Sequence, residues 1–578
     1  MSVHDELLIS RELLAFQLFD WLASDGETDR QTLLAMIDVA QQLATNVFLA
    51  HNRQIDVEEP SLDAQGVHAH PAIKSALAQY KELGLFGASF PEHVGGIGLS
   101  FTVSLAIYGN FSAASVATIA YPMLTAANAR LLTKFGTPAQ AEAFALPQIE
   151  GRWFGTMCLS EPQAGSSLGD IRTRAVPDGK DTFGARYLIS GNKMWISGGD
   201  QDISENIVHL VLAKVVQPDG SLHDGAKGTS LFIVPKRLAD GTPNDIAVAG
   251  LNHKLGYRGT SNCLLNFGEQ DGAVGWRVGE EGQGLAQMFS MMNEARITVG
   301  MSAAALGYRS YRQSVRYARE RFQGRAIDMK TGAMTAIINH PDVRRMLLQQ
   351  KVYAEGAVAL CLYCAHLVDQ RDQDAEALLS LLTPVTKTWP AEFGLIANDL
   401  AIQVHGGYGY TRDFDVEQLW RDNRLNPIHE GTTGIQALDL LGRKLIYSDG
   451  HSLSLLLNRI GATVDKARSN PAWAQQADAL LAFWDGVQDV VSRLRERNGP
   501  EAFDDATLFL RAFGHGIVAW LWLDQVLVEG GAASSALREG LVHCCRFFFE
   551  TELPQAETWM DIVAGQSDIA RAIPEYVF

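Results

Sequence analysis

Between about residues 156 and 275 the hydrophobic pattern changes period, and this constrains the fold more than any other feature of the chain. "NIVHLVLAKVV", "TSLFIVPK" and "CLLNFGE" are β-branched or alternating runs separated by Gly, Pro and Asp, as strands are. "RYLISGNKMWISGG" predicts two short strands around a turn at Ser190-Gly191-Asn192-Lys193. The flanking segments have apolar residues three and four apart, as in "QTLLAMIDVAQQLATNVFLAHNRQ" and "HPAIKSALAQYKELGLFG". "GLAQMFSMMNEARITVGMSAAALGYRSYRQSVRYARERF" predicts a long helix pair, and "HPDVRRMLLQQKVYAEGAVALCLYCAHLV" and "PVTKTWPAEFGLIANDLAIQVHG" two more long helices. The last segment has "DALLAFWDGVQDVVSRLRER" as its clearest helix. With 578 residues the chain exceeds a single core. The expected division is helical over 1–155, β over 156–275, helical over 276–447, and a further helical segment over 448–578.

Several readings are excluded or reduced. A net charge of −18 opposes nucleic-acid binding. "FPEHVGGIGLS" contains GGxG, but no strand precedes it, so it reads as a turn. Cys361 and Cys364 form a CxxC inside an apolar helix with no second pair at zinc spacing, and they read as core thiols, as do Cys544 and Cys545. Met288, Met291, Met292 and Met301 read as core filling. The first residues lack the basic and apolar regions of a signal peptide, and "GIVAWLWLDQVLV" is interrupted by Asp524 and falls short of a spanning helix. The expectation is a cytoplasmic protein without a membrane segment.

Two segments invite chemistry. "CLSEPQAGSSLGD" is a small-residue loop after an apolar strand, suited to cradling a phosphate. Near it in type, Trp195 and Ser197 offer an aromatic wall and a hydroxyl to a planar heterocycle. In "NPIHEGTTGIQALDLLGRK" a lone carboxylate, Glu430, sits in a short hydroxyl-rich loop before a helix. Thr433 and Gln436 have the spacing of a capping box that would pin the helix right after the acid.

"CLSEPQAGSSL", "NKMWISGG", "KLGYRGTSNC", "QVHGGYGYTRDFDVEQLWRD" and "IHEGTTGIQ" occur in the order seen in the acyl-CoA dehydrogenase family, and the chain resembles that family over about residues 30–445. The tail resembles a longer bacterial subgroup that includes methylthiopropanoyl-CoA and fatty acyl-CoA dehydrogenases. The resemblance implies a mainly α fold with a central β-domain: a helical N-domain, a β-barrel-like middle domain, a four-helix bundle and a C-terminal helical extension, with FAD between the β-domain and the bundle. It places Leu159, Ser160, Trp195 and Ser197 at the flavin and Gly165 and Ser166 at the pyrophosphate. Arg321, Gln403, Gly406 and Gly407 would reach the FAD of the neighbouring subunit, with Thr432 and Gly434 near its adenylate. Asn293 and Arg296 would approach the CoA pantetheine.

Glu430 would be the base that takes the thioester α-proton while FAD accepts the β-hydride. Its rival is Glu294, disfavoured because Ala295 separates it from Arg296. His429 replaces a common Tyr beside the base. "AIDMKTGAMTAIIN" is inserted before His340-Pro341, so a Gln contact to FAD does not carry over. Arg421-Asp422 reads as a structural ion pair, and His405 and His253 as loop packing. The implied product is a trans-2-enoyl-CoA, with electrons passed to electron-transfer flavoprotein and the chain a homodimer. The alternatives are an acyl-CoA oxidase of the same fold, a nitroalkane oxidase-like enzyme, disfavoured by Glu at 430, and a non-catalytic FAD- or CoA-binding paralogue. Tyr121, Phe289 and Met292 are candidates to close the acyl pocket, and medium to long straight chains or methylthiopropanoyl-CoA are the expected substrates.

Overall fold

The structure, a computed structural model, describes residues 7–24, 28–325, 331–497 and 499–578, and all their side chains save those of residues 290–292. Met291 and Met292 therefore lie outside the described side chains, and residues 326–330 of the insertion outside the described chain. The chain separates into two compact units, one of residues up to 41 with 101–113 and 296–578, the other of 42–100 with 114–295.

The second unit holds the β-structure. A small hairpin joins β1 (Ser61–Asp63) to β2 (Gly66–His68). The eight-stranded sheet contains β3 (Trp153–Cys158), β4 (Arg174–Asp181), β5 (Gly184–Ser197), β6 (Asn206–Val215), β7 (Thr229–Pro235), β8 (Ile246–Leu251), β9 (Asn262–Phe267) and β10 (Ala273–Val278). Its order is β10-β7-β6-β4-β5-β9-β8, with β3 on β6 and a second pairing of β10 to β5. The sheet as a whole does not close into a barrel, because β9 and β8 run off from β5. β6 and β7 are buried on both faces, so they read as near-continuous apolar runs, broken in β6 by His209.

The two strands expected around Ser190–Lys193 are one strand of 14 residues. Gly191 takes φ +153 within it, where an added Cβ would meet Thr173 Oγ1 at 2.5 Å. The glycine thus marks a close approach of chains rather than a turn. The irregularity falls later, between Lys193 and Ile196, where the register against β9 slips. "FPEHVGGIGLS" is a turn, and Gly96 is required there, since a Cβ would lie 1.9 Å from the Phe90 carbonyl oxygen.

In this unit His209 is buried between strands, its Nδ1 2.7 Å from Thr156 Oγ1, and burial draws its pKa down to about 3. It is neutral when folded and takes a proton more readily unfolded, so stability falls as pH drops from about 6.5 towards 3. At pH 4 this amounts to about 3 kcal/mol. Denaturant unfolding at pH 7 and pH 4 should show a loss of stability in the native protein that is smaller by about 3 kcal/mol in His209→Gln; an unchanged loss would remove His209 as a source.

The first unit is helical. The expected pair over "GLAQMFSMMNEARITVG…" is a single helix, Gly284–Glu320, of 37 residues. Gly300 and Gly307 do not break it. An added Cβ on Gly300 would lie 2.1 Å from the Thr386 carbonyl oxygen, and one on Gly307 3.1 Å from Gly394 Cα, so both let the Gln373–His405 helix approach closely. Pro341–Gln370 forms the other long helix of this group. All six cysteines are buried and free, and no group of three potential metal ligands occurs among the described residues.

Four helical stretches are long and apolar enough to cross a membrane by length and composition, including Ala506–Val526. The expectation that this last stretch falls short is therefore corrected, because Asp524 sits near the helix end rather than in its middle. For Ala506–Val526 and Pro341–Gln370, 83% of the apolar window is buried in the fold.

The two ends of this unit's sequence meet. Gln17 Nε2 donates to Gln525 Oε1 at 3.1 Å in the interior, and Trp21 Nε1 donates to Asp524 Oδ2 at 2.7 Å. The extension shares the bundle's interior: buried His515 accepts from Trp389 Nε1 at 3.0 Å, and Tyr353 donates to Glu552 at 2.6 Å.

Candidate active site

The base loop lies in the first unit. After the Val416–Asn423 helix the chain runs through a short turn to Thr433–Leu438. Thr432, not Thr433, is the N-cap, and its Oγ1 accepts from Ile435 N at 3.3 Å. Gln436 closes no capping box; its Nε2 reaches back to donate to the Glu430 carbonyl oxygen at 3.1 Å. The sequence reading was one residue late because Thr432 and Thr433 are equivalent on paper and only the backbone turn distinguishes them.

Glu430 adopts φ +53, a left-handed conformation rare for a residue with a Cβ and a cost of about 1 kcal/mol or more. Two interactions hold it there. Gln436 holds its own carbonyl, and Lys387 Nζ donates to the Gly431 carbonyl oxygen at 2.6 Å. No hydrogen bond reaches the Glu430 carboxylate from any described residue. Burial raises its proton affinity, against the opposing pull of Arg296 and then Lys387. His429 beside it is held neutral, drawn down to about 3 by burial, with its Nε2 3.0 Å from Asn426 Oδ1. A carboxylate with raised proton affinity and unoccupied lone pairs, on a strained and doubly pinned turn, is equipped to take a proton.

Arg296 is buried, its side chain 7% exposed, and pairs with Asp439 at 3.4 Å. Asn293 is half-buried. Glu294 is occupied by an ion pair with Arg130 at 2.7 Å. Arg421 pairs with Glu417 at 2.7 Å, one helical turn away, where side chains meet. His405 ends a helix rather than sitting in a loop, and stacks on Tyr317 with ring centroids 4.4 Å apart. His253 is exposed and pairs with Glu59 at 3.0 Å.

A pocket of about 660 Å³ opens where that helix ends, lined by Arg321, His340, His405, Gly406, Gly407 and Tyr408 among others. Three of the four residues expected at a neighbouring subunit's FAD thus share one pocket; Gln403 is exposed nearby on the helix. Gly406, at φ +61 and ψ −137, supplies a turn that L side chains avoid. His340, after the insertion, lines the same pocket and bonds the Gln323 carbonyl oxygen through Nε2 at 2.7 Å. Thr432 is half-buried, and Gly434 is exposed with open space around it.

In the second unit, the loop after β3 is held by a pair that the sequence reading missed. Lys193, its side chain wholly buried, donates to Glu161 Oε1 at 2.9 Å and to the Leu159 carbonyl oxygen at 3.0 Å. Glu161 also accepts from Arg172 N at 2.6 Å, Thr173 N at 3.0 Å and Thr173 Oγ1 at 2.6 Å. Although burial opposes it, Lys193 and these donors bring its pKa down to about 2. Met194 N donates to the Ser160 carbonyl oxygen at 3.0 Å, completing the clamp. The signal depends on the strand being continuous: Lys193 then shares the inward phase of β5 with Ile189, and a lysine there needs a carboxylate.

Immediately after this clamp, Trp195 takes φ +66 and turns its indole out, 57% exposed. Ser197 Oγ accepts from Asn262 Nδ2 at 3.2 Å, which leaves its own hydrogen to donate. Leu159 and Ser160 are half-buried, while Gly165 and Ser166 are exposed, with open space at Gly165. An outward indole, a free hydroxyl donor and an unobstructed small-residue loop fit a flavin and its pyrophosphate. Tyr121 is buried and fixed by Ser261 N at 3.0 Å, whereas Phe289 is largely exposed.

Residues 31–152, 156–269 and 282–445 match the family models for the acyl-CoA dehydrogenase N-terminal, middle and C-terminal domains. The chain belongs to the acyl-CoA dehydrogenase family. Residues 456–574 match the model described as acetyl-CoA dehydrogenase C-terminal like. The 3-methylmercaptopropionyl-CoA dehydrogenase of Ruegeria pomeroyi is 36% identical, over 84% of this chain and 83% of its own. The broad-specificity linear acyl-CoA dehydrogenase FadE5 of Mycobacterium tuberculosis is 31% identical, over 96% and 95%. Among solved structures, Caenorhabditis elegans ACDH-11 in complex with C11-CoA matches with TM-score 0.82 at 20% identity, covering 99% of this chain and 95% of its own. A Bacillus anthracis acyl-CoA dehydrogenase complexed with FAD matches at 0.74 and 21%, covering 95% and 90%. The protein is an FAD-dependent oxidoreductase that dehydrogenates acyl-CoA thioesters.

Proposed function

We propose that the enzyme converts a straight-chain acyl-CoA to its trans-2-enoyl-CoA, with Glu430 as the base. The observation that carries this is the half-buried Glu430 carboxylate, raised in proton affinity and unbonded, on a left-handed turn pinned at both carbonyls. Glu430 takes the α-proton of the thioester onto its free carboxylate oxygen. Its backbone N–H offers a donor to the thioester carbonyl, where enolate charge develops. FAD, when bound, supplies the acceptor for the β-hydride. Trp195 and Ser197 present a stacking face and a hydroxyl to its ring system, and Gly165 and Ser166 leave room for its phosphates. Arg321, Gly406 and Gly407, with Gln403 beside them, form the contact with the FAD of a second subunit in a homodimer. Thr432 and Gly434 lie towards its adenylate, and Asn293 and Arg296 towards pantetheine.

The relatives act on 3-methylmercaptopropionyl-CoA and on linear acyl-CoAs, which supports the same choice here, in fatty acid β-oxidation in the cytoplasm. Electron-transfer flavoprotein is the proposed acceptor. Anaerobic titration of the FAD-loaded enzyme with butanoyl- to palmitoyl-CoA and with methylthiopropanoyl-CoA should bleach the flavin with one class. No bleaching with any of them sinks the reading. Oxygen uptake with acyl-CoA and no added acceptor would favour an oxidase instead.

A further inference from the structure

Beside the base lies a charged group that the sequence reading gave no role. Lys387 stands in the middle of the Gln373–His405 helix, is fully buried, and is 44 residues from the carbonyl it holds. An ammonium taken out of water is costly unless it meets compensating partners. Its single hydrogen bond among the described residues goes to the Gly431 carbonyl oxygen, and the charge that attracts it most is Glu430. The charge is therefore placed at the one turn whose geometry the base requires.

We propose that Lys387 is a positioning residue for Glu430: it pins the Glu430–Gly431 turn through the Gly431 carbonyl and so places a buried ammonium at the base's own turn. This rests on the reading of Glu430 as the base. The two pins divide the work. Gln436 fixes the carbonyl of Glu430 itself, and Lys387 fixes the next one, so the left-handed residue is held on both sides of its peptide. Only Lys387 brings charge. Burial pushes the carboxylate towards its protonated, non-basic form, and a cation nearby opposes that.

Lys387 shares the attraction of Glu430 with Arg296, the stronger of the two. Arg296, from the Gly284–Glu320 helix, also attracts Glu430, but it is engaged by Asp439. Asp439 is in turn shared with Arg443 at 2.9 Å, an exposed side chain. Lys444 turns to Ser380 Oγ, and Glu392, on the helix of Lys387, pairs with Arg511 at 3.0 Å. His429 is neutral. Lys387 itself is drawn down to about 7 by burial, against the attraction of Glu430, so its charge at neutral pH depends on that carboxylate.

The test compares Lys387→Gln, which keeps a donor to Gly431 without charge, with Lys387→Met, which keeps neither. In FAD-loaded enzyme the acid limb of the pH profile for flavin reduction should move up by about one pH unit or more in both. At the pH optimum Met should lose about tenfold in rate and Gln less. An acid limb unmoved in both variants overturns the proposal.

Should neither variant retain FAD, Glu430→Gln decides by melting temperature. A lysine depressed on folding binds its proton more tightly when unfolded, so stability rises with pH between the folded value, about 7, and the unfolded value, about 10.4. Removing the carboxylate depresses Lys387 further, so in Glu430→Gln the rise should begin at lower pH. An identical profile overturns the coupling. This readout needs no turnover. If Glu430→Gln still reduces flavin, the base reading fails, and the melting profile still judges whether the two charges are coupled.

Discussion

Glu430→Gln, in protein loaded with FAD, is expected to slow flavin reduction by acyl-CoA by about a thousandfold, near the middle of the range for loss of a positioned general base. The amide matches the carboxylate in shape and cannot take the α-proton. The backbone should keep its left-handed turn, because both pins act on carbonyl groups: Gln436 on residue 430 and Lys387 on residue 431. The α-proton would then exchange with solvent far more slowly as well, which separates loss of the base from loss of hydride transfer. Anaerobic rapid-mixing absorbance and deuterium uptake into the substrate measure the two. Reduction within about tenfold of the native rate would move the base elsewhere. Glu294 would be the next carboxylate to test, although it must first leave Arg130.

The second large effect concerns the loop after β3. Glu161→Ala should destabilise the β-containing unit by about 3–5 kcal/mol, since it leaves the wholly buried Lys193 ammonium without its carboxylate. It also strips acceptors from Arg172 N, Thr173 N and Thr173 Oγ1 at once. FAD retention should fall with it, because Leu159 and Ser160 are tied to Lys193 and Met194 through their carbonyls. The double variant Glu161→Leu with Lys193→Met should recover much of the lost stability, since replacing both partners avoids the lone buried charge. Unfolding of the native protein, Glu161→Leu, Lys193→Met and the double variant forms a double-mutant cycle. A single-variant loss below about 1 kcal/mol, the level of an exposed ion pair, would show that the pair does not organise the loop.

The middle β-domain and the long helices were legible in the sequence because their patterns are local. So were the five ordered motifs that lead to the family and to FAD. Two boundaries failed for one reason. The pattern predicts a turn at Gly191 and a helix pair over residues 284–320, whereas Gly191, Gly300 and Gly307 are each a notch against a neighbouring segment. Whether a glycine bends the chain or admits another chain depends on what packs there, which one sequence does not state. Lys387 was missed for a similar reason. Helical spacing shows that a lysine sits in an apolar helix, but not that a loop 44 residues away presents a carbonyl to it. Lys193 belongs with Gly191: read as a turn residue it has no phase, and its inward direction follows only from the strand being continuous. Gln436 was singled out for a cap and serves the base instead, a distinction that rests on the turn at Thr432.

The meeting of Gln17 and Trp21 with Gln525 and Asp524 has a bearing on how the protein is made. On a ribosome the first helices emerge long before their partners exist, and the apolar face that will cover them is translated roughly 500 residues later. At about 5–20 residues per second that interval is tens of seconds, ample time for an unaccompanied hydrophobic segment to find a wrong neighbour. The β-containing unit, complete by residue 295, can settle while the rest is still being synthesised. The base-bearing unit cannot, because Gln17 and Trp21 find their partners only at Gln525 and Asp524.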